Sequence, residues 1–274
     1  IGRMPADGWL RGFRVELVDA DGRPVPQAVL HHVNVVAMER RELFSPIMRR
    51  IAAAGQETPP YELPRIFGYP VRRGERVLVT AMFHNPTPRA YHGVRLRGRM
   101  RHTPPGAWPR PIPIYPFYVD VMPPASRHAY DLPPGRSAKS WEGRPAVSGR
   151  ILGLGGHLHQ YGVLLRFEDV TAGKVLWETR PVVDRTGAVV RMPTRTFYWR
   201  LGLPLRADHV YRLTAIYDNP TGRTIPLGAM GALGGALVPA RGARWPAVDP
   251  GHPDYRRDLE LLHQADYGAA AYHH

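Results

Sequence analysis

Four groups of residues in this chain have types and spacings suited to metal chemistry. His31 and His32 are adjacent inside the apolar run Ala28–Met38, and His84 closes a second run at Phe83-His84-Asn85-Pro86. His157-Leu158-His159 follows Gly155–Gly156 and precedes Tyr161–Gly162, and Met230 lies in the Gly/Ala-rich stretch Pro226–Pro239. A lone histidine is usually a hydrogen-bonded core or turn residue. Two adjacent imidazoles in an apolar strand are costly unless something satisfies them, and neutral imidazole is the commonest metal ligand. Residues two apart on a strand project from one face, so His157 and His159 can reach one ion. Adjacent residues face opposite ways, so His31 and His32 can share an ion only where the strand is twisted or bulged. The thioether of Met230 is a soft ligand that favours Cu(I), whereas three imidazoles alone suit zinc equally well. Met230 is therefore the discriminating residue. Its alternative role is plain packing, as for most methionines in apolar stretches. The chain has no Cys, which excludes disulfides, iron–sulfur clusters, thiol nucleophiles and covalently attached c-type haem.

The elements that must position these residues read as strands. Gly12–Asp19 alternates apolar and polar residues and ends at the turn signal Asp21–Gly22. Ala28–Met38 and Arg76–Phe83 are β-branched runs of strand length, and Tyr91–Arg101 alternates again. In the second half, Arg150–Leu154, Tyr161–Glu168, Lys174–Thr179, Thr196–Leu201 and Tyr211–Tyr217 are strand-like. The Pro-rich stretches Thr103–Pro113 and Met122–Pro134 cannot be central strands. Helix signals occur at Pro46–Ala54 and at Pro253–Tyr267, where Pro253 suits the first helical position and Gly268 lies just past the end. With 30 Pro and 28 Gly in 274 residues, long helical bundles and coiled coils are excluded. No apolar run is long enough to cross a membrane as a helix. The expected fold is all-β: two tandem antiparallel β-sandwich domains, jelly-roll-like, plus a Pro-rich C-terminal tail with a short helix. The expected boundaries are 1–123 for the N-terminal sandwich, 124–146 for a Pro-rich linker, 147–239 for the C-terminal sandwich and 240–274 for a docking tail. Because the first residue is Ile, an upstream segment is expected to be missing from this chain.

The formal charge is +14, and of 37 basic residues only Lys139 and Lys174 are not Arg. The arginines are scattered singly or in pairs, with no basic block and no nucleic-acid-binding motif, so nucleic acid is not the expected partner. An acidic protein or a membrane surface suits this charge better.

The order His-His, His, His-x-His, Met resembles the type II copper-dependent monooxygenases, the family of peptidylglycine alpha-hydroxylating monooxygenase and dopamine beta-monooxygenase. Leu132-Pro133-Pro134-Gly135 and Gly162 match family residues flanking the His-x-His strand, and the resemblance covers about residues 10–239. It implies two β-sandwiches with one copper each, across a solvent-filled cleft. His31, His32 and His84 would hold the electron-donating copper. His157, His159 and Met230 would hold the copper at which dioxygen binds and the substrate C–H bond breaks. The family's carboxylate-binding Arg, Asn and Tyr are replaced by Gly155, Ala232 and Gly234, which argues against a glycine-extended peptide as substrate. The family's disulfides are absent as well.

Two functions of different class fit these residues. One is an exported, periplasmic or extracellular copper monooxygenase with a reductant and an uncharged small-molecule substrate. The other is a non-catalytic subunit on the outer face of a membrane protein complex, docked through residues 240–274, where Trp245, Tyr255, Tyr267 and Tyr272 are amphipathic anchors and Arg241, Arg244, Arg256 and Arg257 are charged ones. Copper or zinc storage is a third, weaker reading.

Overall fold

The computed structural model describes residues 1–55, 61–185 and 187–263. The chain is all-β, with antiparallel sheets packed as sandwiches and, among the described residues, one α-helix near the C-terminus. Its described residues divide into two compact units, one within 1–39 and 50–115 and the other within 40–49 and 116–263.

In the first unit one sheet is ordered Gly2–Arg3, then Arg76–Phe83, Leu30–Arg41 and Met48–Gly55. The second is built on Gly8–Val18, which pairs with Arg95–Thr103 along its length and with Phe67–Val71 near its start. In chain order these principal strands are β1 (Gly8–Val18), β2 (Leu30–Arg41), β3 (Met48–Gly55), β4 (Phe67–Val71), β5 (Arg76–Phe83) and β6 (Arg95–Thr103). Alternation decides their faces. Phe13, Val15 and Leu17 of β1 and Val33, Val35 and Ala37 of β2 share one buried core with Tyr69, Val71 and Val77. Arg14 and Glu16 lie on the other face of β1.

The second unit contains β7 (Tyr115–Asp120), β8 (Tyr130–Leu132), β9 (Gly135–Gly143), β10 (Gly149–Leu158), β11 (Gly162–Asp169), β12 (Lys174–Thr179), β13 (Tyr211–Asn219), β14 (Ile225–Ala229), β15 (Gly231–Pro239) and α1 (Pro253–His263). One sheet runs β7-β15-β10 and the other β9-β13-β11-β12. Their inner faces meet in a core of Ile151, Leu154 and Leu158 from β10, Leu233 and Leu237 from β15, Leu165 and Phe167 from β11, and Leu213, Ala215 and Tyr217 from β13. Leu43 and Phe44, at the tip between β2 and β3, belong to this core, with Phe44 6.0 Å from Phe117 and 6.2 Å from Phe167.

Several expectations need correction. Residues 124–146 are not a linker: they carry β8 and β9, and β9 pairs with β13 over nine residues. The prolines that suggested a linker bracket these strands rather than interrupt them, and β9 is a polar edge strand without apolar alternation. The boundary is also not a single cut, because residues 40–49 count with the second unit. Pro46–Ala54 is not helical. Met48–Gly55 is strand β3, since pairing with β2 overrides the Ala-rich local preference. Thr196–Leu201 is strand only at Thr196, in a short pairing with β10, and turns into a 3-10 segment over Tyr198–Arg200. Helix α1 begins at Pro253 as expected, and its described part ends at His263; Tyr267, Gly268 and Tyr272 lie outside the described residues.

Candidate metal centres

In the second unit the β10–β15 ladder and the turn beyond it bring the backbones of His157, His159 and Met230 close together. His157 stands opposite Ala232 and Leu158 opposite Gly231, so the next cross-strand position sets His159 against Met230. Leu158 is buried in the core, which turns His157 and His159 to the other face. Their ring centres lie 5.2 Å apart with planes at 87°. Two imidazoles on one tetrahedral ion, with metal–nitrogen bonds of about 2 Å, place their ring centres roughly 5 Å apart. Edge-to-face packing gives a similar separation, so the third group carries the distinction.

That third group is held by Tyr217, a fully buried residue of β13. Its hydroxyl accepts the backbone N–H of His159 at 2.9 Å and of Met230 at 3.1 Å, and donates to the Met230 carbonyl. A phenol has one donor and two acceptor sites, so all of its capacity ties these two backbones together. Burial pushes the Tyr217 phenol well above its ordinary pKa, and the bonds to Met230 and His159 offset this only in part. Gly162 closes the turn after His159 by donating its N–H to the His159 carbonyl at 3.1 Å. A Cβ at this position would lie 2.8 Å from Leu158 Cβ and 3.0 Å from that carbonyl, which is the physical need for glycine three residues beyond His159.

Gly155, Ala232 and Gly234 put no large or charged side chain beside these ligands. Gly155 stands opposite Gly234, one pleat from the His157–Ala232 pair. A Cβ on Gly234 would meet nothing within 4 Å. The three positions that lack the family's carboxylate-binding side chains thus lie together beside His157, open at Gly234.

In the first unit the strand irregularity that the adjacent histidines require is present. Leu30 pairs with Phe83 and His32 with Met82, so the ladder slips by one and His31 is the extra residue of a β-bulge. The two rings stand 4.8 Å apart at 63°. His84 follows the end of β5, its backbone N–H donating to the Val29 carbonyl at 3.0 Å, and its side chain is exposed. Among the described residues no group of three or more His, Cys, Asp or Glu side chains is placed to hold a metal ion. The bulge lets the rings of the adjacent His31 and His32 stand together. The second centre offers two imidazoles on one face, with the Met230 backbone tied to that of His159 through Tyr217.

Sequence reasoning missed Tyr217, whose partners are 58 and 13 residues away and carry no local signal. It also missed a cluster in which Asp120, nearly buried, accepts from Tyr118 Oη at 2.5 Å and bonds His128 Nδ1 at 2.7 Å. A second such pair joins Asp169 to His209 Nδ1 at 2.7 Å. A cleft of about 550 Å³ in the first unit, between β1 and Ala53–Ala54, has none of the candidate ligands in its lining.

No known family model matches this chain, and no curated protein does. Among solved structures the chain is similar to the major capsid protein P2 of bacteriophage PM2, at 13% identity over 88% of this chain and 92% of that one, with a TM-score of 0.41. It is also similar to VP2 of infectious bursal disease virus in a subviral particle, at 10% identity over 88% of this chain and 60% of that one, with a TM-score of 0.30.

Proposed function

We propose that this protein binds copper at His157, His159 and Met230 and hydroxylates an uncharged small molecule with dioxygen, as the monooxygenases that its ligand order resembles do. The observation that carries this reading is the Tyr217 junction, which joins the backbones of His159 and Met230 while His157 and His159 share a face. In such a reaction one oxygen atom enters the C–H bond and the other leaves as water, with two electrons and two protons drawn from an external reductant. Bound copper would supply the one-electron chemistry with dioxygen. The chain's own contribution would be to hold two imidazoles on one face beside the Met230 backbone, and to leave the small residues Gly155, Ala232 and Gly234 next to them, where a substrate can approach. His31, His32 and His84 would hold the second, electron-supplying copper.

The docking-subunit reading draws less support from the tail. Tyr255 is buried, and Trp245 Nε1 donates to the Arg41 carbonyl at 3.0 Å within the same unit. These side chains are spent internally rather than offered to a partner.

Copper counted per chain after titration with Cu(I) tests the proposal. Met230→Leu removes the thioether at nearly constant volume, so stability should change by less than about 1.5 kcal/mol. Cu(I) affinity should fall by about tenfold or more. Unchanged Cu(I) affinity in both Met230→Leu and His157→Ala would remove the basis of the reading.

A further inference from the structure

Strand β6 carries a second pattern of period two, Arg95-x-Arg97-x-Arg99-x-Arg101. Alternation places four guanidinium stems on one face at intervals of about 7 Å, a row of roughly 20 Å. The register on β1 identifies that face. Met100 stands opposite Phe13 and Leu96 opposite Leu17, all turned toward the core, while Arg99 stands opposite Arg14 and Arg97 opposite Glu16 on the outer side. All four arginines of β6 are exposed, and so is Arg14.

The acids on this surface do not balance it. Glu16 lies 3.2 Å from Arg14 and 3.6 Å from Arg99. Glu62 lies 3.3 Å from Arg101 and is shared with the buried Arg11 at 3.1 Å. Solvated pairs of this kind are weak and exchange readily with another anion. Arg95 also reaches the carbonyls of Asp19 and Ala20, which holds its end of the row in place.

Where β6 ends, the chain enters Pro104-Pro105-Gly106-Ala107-Trp108-Pro109-Arg110-Pro111. Trp108 is 94% exposed at its crest. Prolines restrict this loop in the unfolded chain too, so presenting the indole costs little conformational entropy. The loop returns at Ile112, whose N–H donates to the Ile66 carbonyl at 2.7 Å, and both isoleucines are about half exposed.

We propose that this surface of the first unit docks on a bilayer containing anionic phospholipid. Guanidinium forks match phosphate oxygens bidentately, and an indole held out on a stiff loop suits the boundary between headgroups and acyl chains. A single-stranded nucleic acid would need aromatic rings interleaved with the cations, and the outer face of β6 and β1 presents Arg95, Arg97, Arg99, Arg101, Arg14 and Glu16 instead. The surface belongs to the first unit and includes none of the candidate ligands of β10 and β15, and the proposal does not depend on copper.

The test is co-sedimentation of the full chain, with a chelator present, with vesicles of phosphatidylcholine alone or mixed with phosphatidylglycerol. Binding is expected to the mixed vesicles only, and to weaken as salt is raised. Arg97→Gln with Arg99→Gln should lower the partition coefficient by about 25-fold, at roughly fivefold per charge. Trp108→Ala should lower it by about tenfold. All three residues are exposed, so the melting temperature serves as the control on folding. Equal binding to neutral vesicles, or no binding to the mixed ones, overturns the proposal. So does a Trp108→Ala protein that binds as before while the Arg variant is lost, since that marks a soluble polyanion as the partner.

Discussion

Tyr217 does more to define the candidate copper site than any residue in the ligand list. Its hydroxyl is buried, saturated and bonded only to backbone atoms of the residues that flank the site. Tyr217→Phe keeps the ring and its edge-on contact with Tyr130 at 6.4 Å. It leaves the His159 N–H, the Met230 N–H and the Met230 carbonyl without the hydroxyl, in a place that solvent reaches poorly. The expected cost is about 1–3 kcal/mol of stability, read from a denaturant titration, together with a loss of Cu(I) affinity at least as large as that of Met230→Leu. A variant with wild-type stability and copper affinity would mean that the junction is incidental. The shared face of His157 and His159 is legible in the sequence because pleat alternation is local: His-x-His marks one face wherever a strand runs. The bulge at His31 was legible as a requirement but not as a fact. Tyr217 was not legible at all, because a clamp between β13, β10 and β15 exists only once three distant segments pair.

At the scale of elements, the least expected arrangement is the packing of the tail on residues 40–49. Arg49 stacks over Trp245 at 4.0 Å from the ring centre and donates to the Arg41 carbonyl at 2.7 Å, which also accepts from Trp245. Asp258 of α1, 2% exposed, accepts the Met48 N–H at 3.3 Å. Helix α1 earns its place by pattern: Tyr255, Asp258, Leu261 and Leu262 are buried while Arg256, Arg257 and Glu260 face out. Its first turn is capped by His252 Nδ1, which accepts the Asp254 N–H at 3.1 Å. Trp245→Ala removes the stacked ring and one bond, and should cost about 2–4 kcal/mol, seen as a lower denaturation midpoint. A midpoint unchanged within error would show that the tail packs loosely and is free for a partner after all. The sequence pointed to the helix because Pro253 and the apolar spacing are local signals. It misread β3 as helix and β9 as linker because β3's Ala-rich stretch and β9's polar edge carry no strand periodicity of their own; pairing with β2 and β13 supplies it.

Across the whole molecule, the tyrosines couple stability to alkaline pH. Burial raises Tyr211 to about 12 and raises Tyr130 and Tyr217 further in the same direction. For Tyr130 the neighbouring Tyr217 and Asp120 add to the effect of burial. The folded state therefore holds these protons more tightly than the unfolded chain, where a phenol titrates near 10. The sign follows from linkage. Below pH 10 both states are protonated and the contribution is fully present. Above it the unfolded chain releases protons that the folded chain keeps, so stability falls as pH rises toward the folded values. Each phenol that behaves this way lowers stability by about 1.4 kcal/mol per pH unit across that window. The second unit, which holds all three residues, should thus lose its fold in a steep alkaline transition, with tyrosinate absorbance and loss of structure rising together. Tyr217→Phe has one such group fewer, so its stability should decline less steeply above pH 10 even though it starts lower. If all tyrosines instead titrate in one step near pH 10 while the sheets stay intact, the buried phenols are not held as described, and the Tyr217 clamp would have to be abandoned with them.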